Sequence, residues 1–365
     1  MKINDITQFL EKIAPPPYQE SYDNAGLIVG DANVETTAVL VCLDAVESIV
    51  DEAIARGCNL IVAHHPIVFK GLKRFTGKNY VERTVIKAIK NDIAIYAIHT
   101  NLDNVYHNGV NQKIGEKLGL QDMRILAPKK QVLMKLTAFC PKDNTQYVLD
   151  ALYAAGAGQI GNYKNCSFRT EGVGTFKPTG NANPHIGALD KDEEVAEHRI
   201  EVIFPTYLES KIMNALRTAH PYEEVAYYLH VLENTNAEVG SGIVGNLAQP
   251  LSEMEFLHFL KKIMGVGCVK YTALREKSIK NVAVCGGSGG FLLPNAIGVG
   301  ADIFITADYK YHEYFDADGK IIIADIGHYE SEQFTIDLLG DLIQKEFENL
   351  LVFFTKKNTN PVNYL

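Results

Sequence analysis

The sequence predicts an α/β protein: a core of parallel-rich sheets, split in two by an inserted ferredoxin-like α+β domain. Three observations carry that expectation. In residues 1–128, short apolar runs with little alternation recur between helical segments, as in parallel strands buried on both faces. The same pattern returns in residues 237–365. Between them, over 129–236, the strands alternate and follow the order β-α-β-β-α-β. At 365 residues the chain is also too long for one ordinary core.

The chain opens with an amphipathic helix carrying Ile6, Phe9, Leu10 and Ile13 on one face, stopped by the prolines at 15–17. Residues 36–44 (TTAVLVCLD) read as a strand, 46–57 as a helix ended by Gly57, and 59–65 (NLIVAHH) as a second strand. A helix over 79–92 and a strand over 93–101 follow. In the insert, 131–141 is a strand, NTQYVLDALYAAGA a helix and CSFRTEGVGTFKP a strand. EHRIEVIFP is a strand with Arg199, Glu201 and Phe204 set against Ile200 and Val202. The helix YLESKIMNALRTAH and the strand EEVAYYLHVLEN complete the insert. Residues 236–250 return the chain to the core, where NVAVCGG, ADIFITAD and KIIIADIG are strands and ESEQFTIDLLGDLIQKEFEN is a helix.

Composition narrows the function. Hydrophobic residues at 47% and charged residues at 22% describe a folded soluble protein. A net charge of −9 disfavours nucleic-acid binding, which needs basic surface to neutralise phosphates. Six scattered cysteines without CxxC spacing read as reduced thiols. The acidic N-terminus is unlike a signal peptide. The uncharged run 282–301 has the length of a membrane span, but its glycines and proline fit a strand, a turn and a helix better. A cytoplasmic protein without membrane contact is expected.

Histidine and carboxylate meet strand ends in three places: His64 and His65 before Pro66, His99 and Asp103, and His328 and Glu332. Open parallel sheets bind ligands beyond the carboxyl ends of their strands, so the fold brings these clusters to one edge. His328 and Glu332, four apart, share a face if a helix begins near His328. His99 and Asp103 have the same spacing in a stretch that reads as loop. Adjacent side chains on a strand point to opposite faces. His64 and His65 are therefore expected in a strand-end turn, each leaning toward a different ion. Imidazole and carboxylate without thiolate suit Zn, Mn, Fe or Co. Five ligands exceed a closed tetrahedral zinc site. They suit two divalent ions sharing a carboxylate and a water, roughly 3.5–4 Å apart.

Other residues are candidates for substrate. Gly287, Ser288 and Gly289 in VCGGSGG sit between a strand and a helix, where backbone N–H groups can cradle phosphate, or where a tight turn needs positive φ. Asp308 and His312, four apart after a strand, are expected at the same edge, Asp308 toward substrate. His99 and His312 are the candidate proton carriers. His220 is expected to be structural.

The motifs YDNAGLIVG, AHHP, HTNLDN, VCGGSGG, TADYKYH and GHYESE, in this order, resemble the GTP cyclohydrolase I type 2-like family. That resemblance implies a dinuclear metal centre in an α/β core, with ligands on His64, His65, Asp103, His328 and Glu332. Tyr22 departs from the tryptophan that members often carry before Asp-Asn. GAGQIGNYKNCSF and AHPYEEVAYY make the insert similar to the YqfO-type domain, itself like PII and CutA proteins. A homohexameric ring built from trimers is also implied. Two functions follow: a metal-dependent hydrolase acting on a nucleotide or related small molecule, or a non-catalytic metal-binding, metal-delivery or regulatory hexamer with a ligand-sensing insert.

Overall fold

A computed structural model describes residues 1–365. Its contacts divide the chain into two units, Met1–Pro128 with Glu238–Leu365, and Lys129–Ala237.

The first unit holds two sheets. One has the order Gly26–Val29, Ala94–Ala97, Leu60–His65, Val39–Asp44, Val352–Phe354, parallel throughout except at Gly26–Val29. The other has the order Lys270–Tyr271, Ile322–Asp325, Ile303–Ala307, Ser278–Ser288, Gly240–Ser252, Gln121–Pro128. Its three strands Ser278–Ser288, Ile303–Ala307 and Ile322–Asp325 are mutually parallel. Ala94–Ala97, Ile303–Ala307 and Ile322–Asp325 are buried along their whole length, which is why their sequences lack alternation. Helices cover these sheets, among them Ile3–Ile13, Glu47–Arg56, Tyr80–Lys90 and Thr335–Glu346. Gly57 ends the second of these with φ of 68°, where a side chain would be strained. The run 282–301 is the expected strand, turn and short helix, Leu293–Gly298. No helix is long and apolar enough to cross a membrane.

Five strands are not read from the sequence: the short Gly26–Val29 and Lys270–Tyr271, and three others. Gln121–Pro128 is half exposed and weakly patterned, Gly240–Ser252 carries three glycines and a proline, and Val352–Phe354 is only three residues long. All three are made by pairing with strands remote in sequence, which local pattern does not report.

The second unit is one antiparallel sheet in the order Phe168–Phe176, Glu193–Pro205, Leu133–Pro141, Tyr227–Leu232. Helices Thr145–Ala155 and Glu209–Ala219 pack their apolar sides into its core, giving the chain order β-α-β-β-α-β. The expected grouping on Glu193–Pro205 needs one correction. Phe204 shares the buried face with Ile200 and Val202, because residues two apart on a strand share a face, while Arg199 and Glu201 pair on the other. Phe204 is fully buried, so Phe204→Ala should cost about 3–5 kcal/mol, read as a lower urea midpoint for this unit.

Candidate metal centre

The carboxyl ends of the parallel strands carry the site. His64 and His65 are the last two residues of Leu60–His65, inside the strand, not in a turn beyond it. The parallel register with Val39–Asp44 continues to Asp44 and His65, and so carries the strand through both histidines. Alternation is kept, and the two rings diverge. His64 Nδ1 donates to the carbonyl of Ile98 at 2.8 Å on one side, and His65 Nδ1 donates to Asp44 Oδ1 at 2.8 Å on the other. Glu332 reaches between them, with Oε1 3.9 Å from His64 Nε2 and Oε2 3.0 Å from His65 Nε2.

His99 and Asp103 frame one turn of helix, Thr100–Asp103, where the sequence read as loop. The turn is capped from far away: the Asp23 carboxylate accepts from the Thr100 N–H at 3.0 Å and also from the Thr100 hydroxyl. The same carboxylate accepts from His99 Nδ1 at 2.8 Å. On the second sheet, the strand Ile322–Asp325 ends in a turn whose Gly327 N–H donates to Asp325 Oδ1 at 3.0 Å. Gly327 has φ of 91°, which only glycine adopts without strain. The turn starts the helix His328–Glu332, and its one-turn spacing sets His328 Nε2 3.2 Å from Glu332 Oε2. His328 Nδ1 donates to Asp308 Oδ2 at 2.7 Å.

Two groups of ligand atoms result, His64–Asp103–Glu332 and His65–His328–Glu332, with Glu332 common to both. His64, His65 and His99 form a third close group. Every one of these four histidines has its Nδ1 tied to a carbonyl or carboxylate, the arrangement that fixes the tautomer and aims Nε2 at a metal. The fit is sharpest at His64. A carbonyl only accepts, so the hydrogen of neutral His64 lies on Nδ1 and Nε2 is a bare lone pair. It faces Asp103 Oδ1 at 3.6 Å, and both atoms are buried without a hydrogen-bond partner. A gap lined by lone pairs is a place for a cation.

The electrostatics agree. Burial holds His64 down at about 4, so it stays neutral. Burial also opposes charge on His65 and His328, yet hydrogen bonds to Asp44 and Glu332 push His65 up to about 10. Glu332 and Asp308 push His328 up to about 9. Glu332 is buried, but the three imidazoles hold its carboxyl well below the usual range. Burial and then the Glu332 charge drive Asp103 the other way, well above it. Burial works against Asp23 as well, and the His99 and Thr100 hydrogen bonds bring it to about 2.

A cavity of about 880 Å³ opens over the cluster. His65, His99, Asp103, His328 and Glu332 line it, together with Ser288, Asp308 and the C-terminal residues Asn360, Val362 and Tyr364. His312 is not brought there. Asp308 turns the chain with φ of 58°, and His312 stands exposed on the 3-10 helix Tyr311–Ala317, against Tyr311. The glycine loop is a tight turn whose amides are engaged inside the protein. The N–H groups of Gly286, Gly287 and Gly289 donate to Asn111, Ser331 and Thr306. Gly287 has φ of 61°, and a Cβ there would lie 2.3 Å from Glu332 Oε1. His220 bonds the carbonyl of Phe139 and the N–H of Tyr222, a structural place.

Sequence reasoning assigned no role to Asp23, Asp44 or Thr359. Thr359 Oγ1 donates to Asp44 Oδ2 at 2.6 Å, extending the chain that orients His65. The one available signal was Asp44 closing a strand parallel to the one that ends in His65. Asp44→Asn should weaken metal binding by about 10–100-fold, measured by competition with a chelator, while the fold is kept.

Parallel strands from two sheets, delivering imidazoles braced by carboxylates and a backbone carbonyl to one edge, define an α/β protein with a metal-type centre. The chain belongs to the Duf34/NIF3 (NGG1p interacting factor 3) family, whose sequence model matches residues 1–361. The Bacillus subtilis (strain 168) protein called GTP cyclohydrolase 1 type 2 homolog is 39% identical over 366 residues, spanning 99% of this chain and 98% of its own. A protein of the same name from Staphylococcus epidermidis is 35% identical over 369 residues, 100% of each chain. Among solved structures, a Bacillus cereus protein related to NIF3 superposes with a TM-score of 0.85 at 35% identity, over 100% of this chain and 99% of that one. The resemblance read from the motifs is borne out.

Proposed function

We propose that this protein is a dinuclear metal-dependent hydrolase acting on a nucleotide or a related small molecule. The observation that carries the reading is the sharing of Glu332 between two ligand groups, each completed by different residues. His64 and Asp103 would hold one divalent ion, His65 and His328 the other, with Glu332 bridging. Bound there, Zn, Mn, Fe or Co would supply a water of lowered pKa and a Lewis acid for the substrate's electrophilic centre.

The chain's own groups do the rest. Asp44, Asp308 and the Ile98 carbonyl keep the imidazoles in the ligating tautomer. His99, tied through Nδ1 to Asp23, has Nε2 free to take or give a proton at the cavity wall. Ser288 and Asp308 are the proposed substrate contacts, since both line the cavity. With the glycine amides engaged, a nucleotide's phosphates would be held by the ions and side chains, not by the loop. GTP is the first substrate to test, given the relatives' names.

The second unit is proposed as a ferredoxin-like insert of the PII/CutA kind, interrupting a core formed by 1–128 and 237–365, in a cytoplasmic homohexamer. Metal-loaded protein is incubated with GTP, and formate and phosphate release are compared with His65→Ala. Release that falls to background in the variant supports the hydrolase. Equal rates, or none from either protein, overturn it.

A further inference from the structure

The second unit holds a cavity of about 560 Å³ whose walls all come from Lys129–Ala237. Its walls are aromatic: Phe139 meets Tyr228 and Phe176 meets Tyr222, both edge to face with centroids 5.8 Å apart. Three carboxylates line it, Glu197, Glu223 and Glu224, against one ammonium, Lys177, which lies 3.6 Å from Asp192. Glu223 accepts from the Asn183 N–H. Glu197 differs: it is 7% exposed and forms no ion pair with any lysine, arginine or histidine.

The backbone makes room for that carboxylate. A Cβ at Gly174 would lie 2.2 Å from Glu197 Oε2, so only glycine lets the group occupy its place. The Tyr222 hydroxyl is buried beside the Glu197 carboxylate, and burial and that hydrogen-bonding neighbour push it well above its ordinary value, so it keeps its proton. His220 fixes its position, accepting from the Tyr222 N–H through Nδ1 and donating to the Phe139 carbonyl through Nε2.

A buried carboxylate without a counter-ion is costly, and aromatic faces attract cations. Surplus negative charge repels an anion. A metal ion is a poor match, because the groups of three ligand atoms close enough to share one all lie in the first unit. We propose that this cavity binds a compact organic cation, an ammonium on an apolar or aromatic body, with Glu197 as counter-ion and the Tyr222 hydroxyl as a second polar contact. The apolar body lies against Phe139, Phe176 and Tyr228.

Calorimetric titration of the full chain with phenethylammonium, choline, 2-phenylethanol and phenylacetate tests this. Phenethylammonium should bind saturably and at least about tenfold more tightly than 2-phenylethanol, which has the same body without the charge. Phenylacetate should not bind. Glu197→Gln should weaken the amine by about tenfold or more while metal content is unchanged. Equal affinity for amine and alcohol overturns the proposal, and so does amine binding that survives Glu197→Gln. Absence of saturable binding by both phenethylammonium and choline at millimolar concentration also overturns it. Should Glu197→Gln not fold, the amine and alcohol compared on the unaltered chain decide. The metal-centre reading stands or falls separately.

Discussion

Glu332→Gln is expected to empty both halves of the metal centre. Its Oε1 faces His64 and Asp103 and its Oε2 faces His65 and His328, so one amide removes an anionic ligand from each group. The substitution keeps the shape of the side chain and removes its charge. Losing a partner outside the ligand shell already costs about 10–100-fold in metal affinity. Losing the shared ligand should cost more than about 100-fold, so metal per chain should drop below one after dialysis. Elemental analysis of the purified variant checks this. Metal retained at the unaltered protein's level would show that Glu332 bridges nothing. Asp44→Asn is the useful contrast, since it touches only the His65 side.

Metal uptake by the metal-free protein should be steeply pH dependent, and its stability should run the opposite way. His65 at about 10 and His328 at about 9 are protonated at neutral pH. A ligating imidazole is neutral, so an ion entering this group displaces those protons. Affinity should fall by about tenfold per pH unit for each proton displaced as pH drops below those values. Titrations in two buffers of different ionisation heat count the protons directly. Without metal, both folded-state values lie above the ordinary 6.5. Their stabilisation is therefore complete below about 6.5 and is lost as pH rises through 9 to 10. Glu332, held below its ordinary value, contributes above that value and loses its contribution as pH falls through its folded one. The melting temperature of the metal-free protein should thus decline from pH 7 to 10, and that of the loaded protein should not. Uptake at pH 7 without proton release would sink the assignment of His65 and His328 as ligands.

The parallel strands were legible because burial on both faces removes alternation from their sequences, as in Ile303–Ala307. The histidines and carboxylates were legible because such strands end at one edge. What braces them was not. Asp23 reaches His99 across 76 positions and Thr359 reaches Asp44 across 315, distances at which spacing says nothing. The helical turn at Thr100–Asp103 was hidden for the same reason: its cap comes from Asp23 and not from a neighbour. The loop at Gly287 shows the limit of motif reading. Its glycines suit phosphate equally well until the acceptors of their N–H groups are known.

Glu332 stands 267 positions after His65. A ribosome adding about 5–20 residues per second needs roughly 13–53 s to pass from one to the other. Throughout that interval His64 and His65, joined early in it by Asp103, stand on the nascent chain without the Glu332 carboxylate. The contiguous segment Lys129–Ala237 is finished well before then, and can fold while the core still lacks half its strands. On the proposed reading, metal capture therefore belongs to a chain that has been made past Glu332. An ion held there would then be drawn from what the cell offers after translation of this message has passed Glu332.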